Sequence, residues 1–399
     1  MPLNISDRRE RALVATADRG LAILSSIARP FRGRRLLRTP ARILVLRLER
    51  IGDLLMTLPA LADIRALAPK AAIDLAVGSW NADIARAIDP VTRVHSVDAS
   101  WLSRDGTGRG PLALVAAARQ WRKTNYDLAI NFEPDIRGNL MLAASGARWT
   151  AGYRSGGGGS LLDVPLDFDT AAHTTENARR LVAAVFDAAV PSEQPPTLVV
   201  PAEAHQNASR LLADAGHPLI GLHVSGGRAI KQWPPERFAE AARRIVDDCG
   251  ATIVLTGAGA DRPMAEIVKA ALPRHKVLDV VGHVDLLTLA GIIELMDLLV
   301  TGDTGPMHVA VAVGTPVVAI FGPSDPARYA PRGPLDHVVR VDLPCSPCNR
   351  IRLPPARCAG HTPDCLDAVS VTEVVAAALS ALDRASRAGI VPMRLLPND

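Results

Sequence analysis

The sequence predicts an α/β protein with two Rossmann-like domains, each built on a doubly wound parallel sheet, preceded by an amphipathic helix. From residue 42 onward, short β-branched runs alternate with helical stretches, which is typical of parallel sheets covered by helices on both faces. A length of 399 residues suggests two domains rather than one. Four prolines at 191–201 interrupt the alternation. We therefore expect a leader over 1–41, a first domain over 42–195 and a second domain over 196–399.

The leader is predicted to form a basic helix over 7–29. Its apolar residues recur every three or four positions and so share one helix face: Leu13, Ala17, Leu21, Leu24, Ala28 and Phe31. Residues 1–42 hold ten arginines against three acidic residues, a local charge of +7. Such a helix suits an anionic membrane surface, contacted through residues 7–38, where each basic group adds about 1 kcal/mol. Packing on the protein's own body and a signal peptide are the two alternatives.

The two domains take their elements in chain order from the same alternation. The first domain is predicted to have strands at 43–46, 73–77, 94–97 and 128–131, a helix over 54–67, and helices around 83, 116 and 140. Four consecutive glycines at 156–159 predict a mobile loop. The second domain is predicted to have strands at 219–224, 252–256, 277–281, 298–301 and 316–321. Two such domains are expected to face each other across a ligand-binding cleft.

Composition and missing motifs exclude several classes of protein. Outside residues 1–42, 35 basic residues face 38 acidic ones, which disfavours nucleic acid as a partner. No uncharged apolar run approaches the roughly 18 residues of a membrane-spanning helix. Five cysteines are few for this length, so we expect a reducing, cytoplasmic location. Arg262 stands where the dinucleotide fingerprint starting at Gly257 needs its third glycine, and no Walker A sequence occurs.

Two turns in the second domain are predicted to bind a diphosphate. Residues 298–308 run from a buried strand into Asp303, Thr304 and Gly305, where a helix begins whose first amides form an anion site near His308. A second strand ends in Ser225, Gly226, Gly227 and Arg228, followed by Lys231, which together offer backbone and cationic phosphate contacts. The alternatives are an ordinary helix cap with a buried histidine, and a solvated lysine.

One turn in the first domain carries a candidate general base. Asp53 follows Gly52 where the first strand gives way to a helix, so its carboxylate would project toward the cleft. The alternative is that Asp53 is simply the N-cap of that helix.

These turns resemble the motifs of glycosyltransferase family 9, the lipopolysaccharide heptosyltransferases, over the chain from about residue 42 to its end. The matching segments are 47–59, Lys231-Gln-Trp233-Pro234, and Gly302 to His308 continuing through 322–326. The resemblance implies a GT-B fold. It also implies inverting transfer, without metal or cofactor, of a sugar from a nucleotide diphosphate, usually ADP-heptose, onto a lipid-linked core saccharide.

The resemblance also implies roles for individual residues. Asp53 matches the proposed base, and Lys231 matches the residue that neutralises the donor phosphates. Asp303, Thr304, Gly305 and His308 match the donor-binding turn, and Asp261 falls where the family contacts the nucleoside. The expected partners are thus the donor and the saccharide acceptor, to which the basic leader adds an anionic inner-membrane surface. A nucleotide-sugar epimerase of similar fold and a non-catalytic saccharide-binding scaffold are the rival functions.

Two further groups of residues are candidates for weaker roles. Arg137 and Arg154 are predicted to contact acceptor phosphates, although solvated arginines are the commoner case. Four cysteines near the C-terminus, with His361 among them, are spaced as in a structural zinc site: Cys345, Cys348, Cys358 and Cys365. Free thiols and a disulfide are the alternatives, and Cys249 is expected to lie in the core.

Overall fold

The computed structural model describes residue 3 and residues 7–28, 39–103, 106–189, 198–352 and 354–387. It divides the chain into two units, Met1–Pro195 and Pro196–Asp399. Within the described residues, no helix is both long enough and apolar enough to cross a membrane.

The first unit is built on a parallel sheet of six strands in the order β3-β2-β1-β4-β5-β6. The central strand β1 is in register with both neighbours, so that Ile43 pairs with Ile73 on one side and with Leu128 on the other. In chain order, the elements of this unit are α1 (Arg8–Ala28), β1 (Arg42–Leu46), α2 (Ile51–Leu55), α3 (Leu58–Leu67), β2 (Ala72–Val77), α4 (Ala82–Arg86), β3 (Arg93–Ser96), α5 (Pro111–Ala118), β4 (Leu128–Asn131), α6 (Ile136–Ser145), β5 (Trp149–Tyr153), β6 (Val164–Leu166) and α7 (Thr174–Phe186).

The second unit is built on a parallel sheet of six strands in the order β12-β11-β10-β7-β8-β9. Its core lies between these buried strands and the apolar faces of the long helices, where Trp233 packs edge-on against Phe238 with ring centroids 4.9 Å apart. The elements are α8 (Ala202–Leu211), β7 (Leu219–His223), α9 (Pro235–Cys249), β8 (Thr252–Thr256), α10 (Arg262–Ala270), β9 (Val277–Asp279), α11 (Leu286–Glu294), β10 (Leu298–Gly302), α12 (Gly305–Val313), β11 (Val317–Ile320), α13 (Pro326–Tyr329), β12 (His337–Val339), α14 (Asp364–Asp367) and α15 (Val371–Arg387).

These two sheets confirm the predicted α/β architecture, but several elements differ from the prediction. The helix expected over 54–67 is two helices, because Thr57 directs its hydroxyl to the Leu54 carbonyl and Pro59 begins a new first turn. Strands β5, β6 and β12 were not predicted from the sequence. The first contains a glycine and the second a proline, and β6 and β12 have only three residues each, so the β-branched pattern is weak there.

The leader forms α1, but its predicted apolar stripe coincides only in part with its packing face, since Leu21 is half-buried. Leu13 is 73% exposed and Ala17 is exposed, whereas the neighbouring face contacts the body of the first unit. On that face Asp18 accepts the backbone N–H of Gly158 at 2.7 Å, and Val14 lies against Gly157. The side chains of Leu24 and Ala28, and Phe31 as a whole, lie outside the described residues.

The four glycines expected to form a mobile loop are instead packed. All of 156–159 except the last are fully enclosed, and short 3-10 turns flank them at Arg154–Gly156 and Gly159–Leu161. Gly157 and Gly158 have φ values of +92° and +72°, a region that favours glycine. A Cβ on Gly156 would lie 2.1 Å from the Pro134 backbone. The glycines therefore allow a close approach of backbones, and the loop prediction is wrong in that respect.

Candidate active site

Polar turns of the second unit lie at the carboxyl ends of three adjacent strands, β8, β7 and β10. Ser225 stands shortly after β7, Asp261 after β8 and Asp303 directly after β10. Because the strands are parallel, their carboxyl ends meet at one edge of the sheet, which is where α/β folds bind ligands. The structure thus brings both predicted donor turns to the same edge.

Lys231 and Asp303 form an ion pair at this edge. Their Nζ and Oδ2 atoms are 2.6 Å apart, and the two side chains are 20% and 11% exposed. Burial alone would raise the pKa of the Asp303 carboxyl, but the charge and hydrogen bond of Lys231, with help from Ser324, hold that pKa below its usual range. The Lys231 ammonium group is thus held by an ionised carboxylate, and the alternative of a lysine free in solvent does not hold.

The turn that carries Lys231 is fixed by packing on both sides. Lys231 ends the 3-10 turn Ala229–Lys231, and its carbonyl oxygen lies 3.3 Å from where a Cβ on Gly302 would stand. Trp233 is buried and donates its Nε1–H to the Val369 carbonyl at 3.2 Å. Gly226 accepts a hydrogen bond from Gln232 at 3.0 Å. The ammonium position is therefore set by the fold, whereas the Arg228 side chain is exposed.

The N-terminus of α12 lies beside this ion pair in sequence and presents backbone amides. Thr304 is the N-cap, and its hydroxyl lies 3.0 Å from that of Thr301 rather than capping the helix. Gly305 begins the helix, and no side chain caps its first turn. Uncapped first-turn N–H groups and the helix dipole together favour an anion. His308 follows on the same helix and is buried.

Ser225 and Asp261 contact each other, although they are 36 residues apart in sequence. The Ser225 hydroxyl donates to Asp261 Oδ1 at 2.6 Å, while Oδ2 accepts the Ala258 N–H at 2.7 Å. Nearby His223 is buried, which lowers the pKa of its imidazole to about 4 and keeps it neutral at pH 7. The β7 and β8 turns therefore form one continuous polar rim.

In the first unit, Arg47 organises the turn that carries Asp53. Arg47 is 2% exposed and donates from Nε to the Asp53 carbonyl at 3.0 Å, while its Nη2 lies 3.3 Å from Asp53 Oδ1. Its Nη1 donates to the Phe132 carbonyl at 2.7 Å and lies 3.3 Å from Glu49 Oε2. Burial would lower the pKa of the guanidinium, but the surrounding carboxylates raise it, so Arg47 stays charged.

Asp53 lies in the first turn of α2, and the N-cap of that helix is Arg50. The alternative interpretation of Asp53 as an ordinary N-cap is therefore wrong. Its side chain remains about one quarter exposed, so a carboxylate oriented by Arg47 is accessible to a substrate hydroxyl.

Glu133 was not predicted from the sequence to belong to this site. It follows β4 at the same edge of the first sheet, is 4% exposed, and contacts the backbone of the Asp53 turn. The only sequence signal was an acidic residue directly after a buried strand, which many helix starts also show. Arg47 lies within the matching segment 47–59, but the sequence assigned it no role.

The two candidate acceptor arginines are both ion-paired. Arg137 bonds Asp135, approaches Glu10 of α1 at 3.6 Å and stacks over the Trp101 ring at 4.5 Å. Arg154 makes two hydrogen bonds to Asp167, at 2.9 and 2.6 Å. Both charges are thus already matched by carboxylates within the first unit.

The four C-terminal cysteines line one cavity in the second unit, together with Ile230 and Pro323. All of them are free thiols, as is the buried Cys249. In the part of the chain that the structure describes, no group of three or more His, Cys, Asp or Glu side chains is arranged to hold a metal ion. The hypothesis of a structural zinc site is therefore not supported by the arrangement of these side chains.

Comparison with known proteins gives a consistent result. Residues 114–355 match the family described as glycosyltransferase family 9 (heptosyltransferase). The chain is 26% identical over 333 residues to lipopolysaccharide heptosyltransferase 1 of Pseudomonas aeruginosa, covering 77% of this chain and 86% of that protein. It is 25% identical over 317 residues to lipopolysaccharide heptosyltransferase 2 of Escherichia coli, with coverage of 75% and 87%.

A solved structure has the same fold. The ADP-heptose LPS heptosyltransferase II of E. coli matches with a TM-score of 0.69 at 21% identity, over 86% of this chain and 99% of that one. The similarity confirms the predicted GT-B fold class.

Proposed function

Because the chain belongs to glycosyltransferase family 9, the heptosyltransferases of the lipopolysaccharide core, we propose that it moves heptose from ADP-heptose onto a lipid-linked core saccharide. We propose further that the transfer inverts the anomeric carbon and needs neither a catalytic metal nor another cofactor. The similar E. coli structure is that of an ADP-heptose LPS heptosyltransferase, and the edge of the second unit that carries Lys231 and the α12 N-terminus is suited to the same diphosphate.

The proposal rests on two features that stand together at the end of β10. One is an ammonium group fixed by an ion pair, and the other is a helix N-terminus that its N-cap side chain does not cap. Lys231 is held by Asp303, and the amides of the first α12 turn follow in sequence. In the proposed reaction these groups stabilise the negative charge that develops on the departing diphosphate. This is the role that a divalent cation has in other transferases. Ser225, Gly226 and Arg228 add contacts along the donor, and the Ser225–Asp261 pair lies toward its nucleoside.

Asp53 is the proposed general base. Its carboxylate takes the proton from an acceptor hydroxyl while the hydroxyl oxygen bonds to the anomeric carbon of the donor. The bond from that carbon to the diphosphate breaks on the opposite face, and ADP leaves as the anion. Arg47 orients the Asp53 carboxylate, while the partial exposure of Asp53 leaves it accessible to the acceptor.

The proposal is tested by measuring ADP release from ADP-heptose with a heptose-free lipopolysaccharide core, in buffer containing EDTA. We expect ADP release that requires both substrates and that gives a product one heptose heavier by mass spectrometry. Donor isomerisation in the absence of acceptor would favour the epimerase alternative. Binding of the saccharide without turnover would favour the scaffold alternative.

We propose that the outward face of α1 keeps this cytoplasmic enzyme at the anionic inner membrane. Leu13 and Ile23 are 73% and 66% exposed, and Arg9 and Arg19 are exposed on the same side of the helix. Apolar side chains flanked by arginines suit the boundary of an anionic bilayer. Arg137 and Arg154 would contact acceptor phosphates only by exchanging their present carboxylate partners.

Flotation with anionic vesicles tests the membrane proposal. Leu13→Glu combined with Ile23→Glu should reduce binding to vesicles that contain anionic lipid, and Leu112→Glu, at an exposed site on α5, is the matched control. Undiminished binding of the double variant would refute the proposal.

A further inference from the structure

Glu133 connects the end of β4 to the turn between β1 and α2. Its Oε1 accepts the backbone N–H of Leu48 in a short hydrogen bond and that of Glu49 at 2.9 Å. These two amides follow that of Arg47 in the turn that leads from β1 to Asp53. One carboxyl oxygen therefore satisfies two adjacent donors, one buried and one partly buried, which would be costly to leave without an acceptor.

The position of Glu133 is itself fixed by a second layer of hydrogen bonds. Asn131 Oδ1 accepts the Glu133 N–H at 3.1 Å, and Asn131 Nδ2 donates to the Glu133 carbonyl at 2.9 Å. Asn131 Nδ2 also donates to Asn139 Oδ1 at 3.0 Å. A Cβ on Gly138 would come within 2.5 Å of this amide nitrogen, so the side chain has little room to move. The Glu133 carboxyl group is thus held in one position relative to the β1–α2 turn.

Four charged groups act on this carboxyl group: Arg47 and Glu49 from the β1–α2 turn, and Asp135 and Arg137 from the start of α6. Asp53 from α2 and Tyr153 from β5 act in turn on Arg47. Burial, followed by repulsion from Glu49, raises the pKa of Glu133 to about 8 in spite of the attraction of Arg47. At pH 7 the carboxyl group is therefore mostly neutral.

We propose that Glu133 is a positioning residue for Asp53: by accepting the Leu48 and Glu49 amide hydrogens, it fixes the turn in which Arg47 orients the Asp53 carboxylate. The role rests on the proposal that Asp53 is the base. This positioning role requires a hydrogen-bond acceptor at residue 133 but does not require a negative charge there. Glutamine, whose amide oxygen can accept the same two N–H groups, should therefore replace glutamate, whereas alanine should not.

Hydrogen exchange of the turn tests this proposal without any substrate. In mass spectrometry of peptic peptides covering 47–56, Glu133→Ala should exchange the Leu48 and Glu49 amides at least tenfold faster, while Glu133→Gln should exchange like the wild type. Asp163→Asn is the matched control, because Asp163 is also buried and accepts the Thr150 N–H at 2.9 Å elsewhere in the same unit. Equal exchange in all four proteins would overturn the proposal.

Kinetics on the same proteins connect the turn to catalysis. We expect Glu133→Gln to keep kcat within about threefold of the wild type at pH 7 and Glu133→Ala to lower kcat by a factor of ten or more, with the KM for ADP-heptose unchanged in both. Loss of kcat in Glu133→Gln equal to that in Glu133→Ala would overturn the positioning role. If Glu133→Ala does not fold, the transfer rate and the amide hydrogen exchange of Glu133→Gln decide whether the positioning role holds. Absence of transfer by the wild type would refute the proposed function instead, and the exchange result would still decide on Glu133.

Discussion

Replacing Lys231 by methionine should show separately how the Lys231–Asp303 ion pair contributes to stability and to donor binding. Methionine keeps the length and apolar volume of the side chain but leaves Asp303 buried without its ammonium partner. Breaking a buried ion pair in this way typically costs 3–5 kcal/mol. Because the Lys231 side chain is 20% exposed, we expect a loss near the lower end, about 3 kcal/mol. Such a loss leaves a typical protein folded.

The sign of the pH dependence gives a sharper test than the size of the loss. In the wild type the pKa of Asp303 is held low, so its stabilising contribution is present above the ordinary carboxyl pKa and is lost as the pH falls through the lowered value. In Lys231→Met the attraction of Lys231 is gone, and burial, the largest effect, raises that pKa against the remaining hydrogen bond of Ser324 and charge of His308, so stability should fall as the pH rises above about 4. The gap between wild type and variant should therefore widen from pH 4 to pH 8.

Urea unfolding at pH 4, 6 and 8 measures this gap, with ADP titration calorimetry on the same samples. Asp303→Asn in the Lys231→Met background should recover much of the stability, because no buried charge remains, without restoring ADP affinity. Lys269→Met is the matched control, since Lys269 pairs with Asp279 at 43% exposure and its loss should therefore cost far less. A pH-independent gap, or ADP affinity equal to that of the wild type in Lys231→Met, would refute the reasoning.

Three further predictions concern the first unit. Asp53→Asn should reduce transfer at least a thousandfold while leaving ADP affinity within twofold by calorimetry, and retained turnover would remove Asp53 as the base. The Glu133 carboxyl should lower the stability of the wild type relative to Glu133→Gln as the pH rises from about 4.5 to 8, because its raised pKa makes folding take up a proton over that range, at up to about 1.4 kcal/mol per unit of pKa difference. Glu133→Gln should show less of this loss in urea unfolding, and the same slope in both proteins would contradict it. Asp18→Ala should speed the cleavage of α1 by protease, since the Gly158 N–H loses its partner, and unchanged cleavage would show that α1 is held otherwise.

The sequence was sufficient for features that repeat along the chain. Alternating buried strands and helices predicted both sheets, because parallel strands buried on two faces leave a strong apolar signal. The resemblance at the strand–helix turns predicted the family. It also placed Lys231 and Asp303 in the donor turns, although only the coordinates show the 2.6 Å contact between them. The catalytic and binding roles of these residues stay predictions.

Features that depend on tertiary contact did not follow from the sequence. The Asp18 carboxylate helps to set the packing face of α1 by accepting a backbone N–H 140 residues away, and Leu13 and Ala17 of the predicted apolar stripe lie off that face. Glycines 156–158 are required because Pro134 and Val14 approach their backbone closely. In the sequence, such a run of glycines looks the same as a flexible loop. Glu133 was missed because its partners are backbone N–H groups 84 and 85 residues earlier, which have no side-chain signature.

The anomeric configuration of the product tests the central claim most directly. Wild-type protein and Asp53→Asn would be incubated with ADP-heptose and a heptose-free lipopolysaccharide core in EDTA, and the new linkage analysed by NMR. We predict that the wild type forms a heptosyl linkage of configuration opposite to that of the donor, and that Asp53→Asn forms essentially none. A retained configuration, a requirement for divalent metal, or equal product from both proteins would contradict the mechanism.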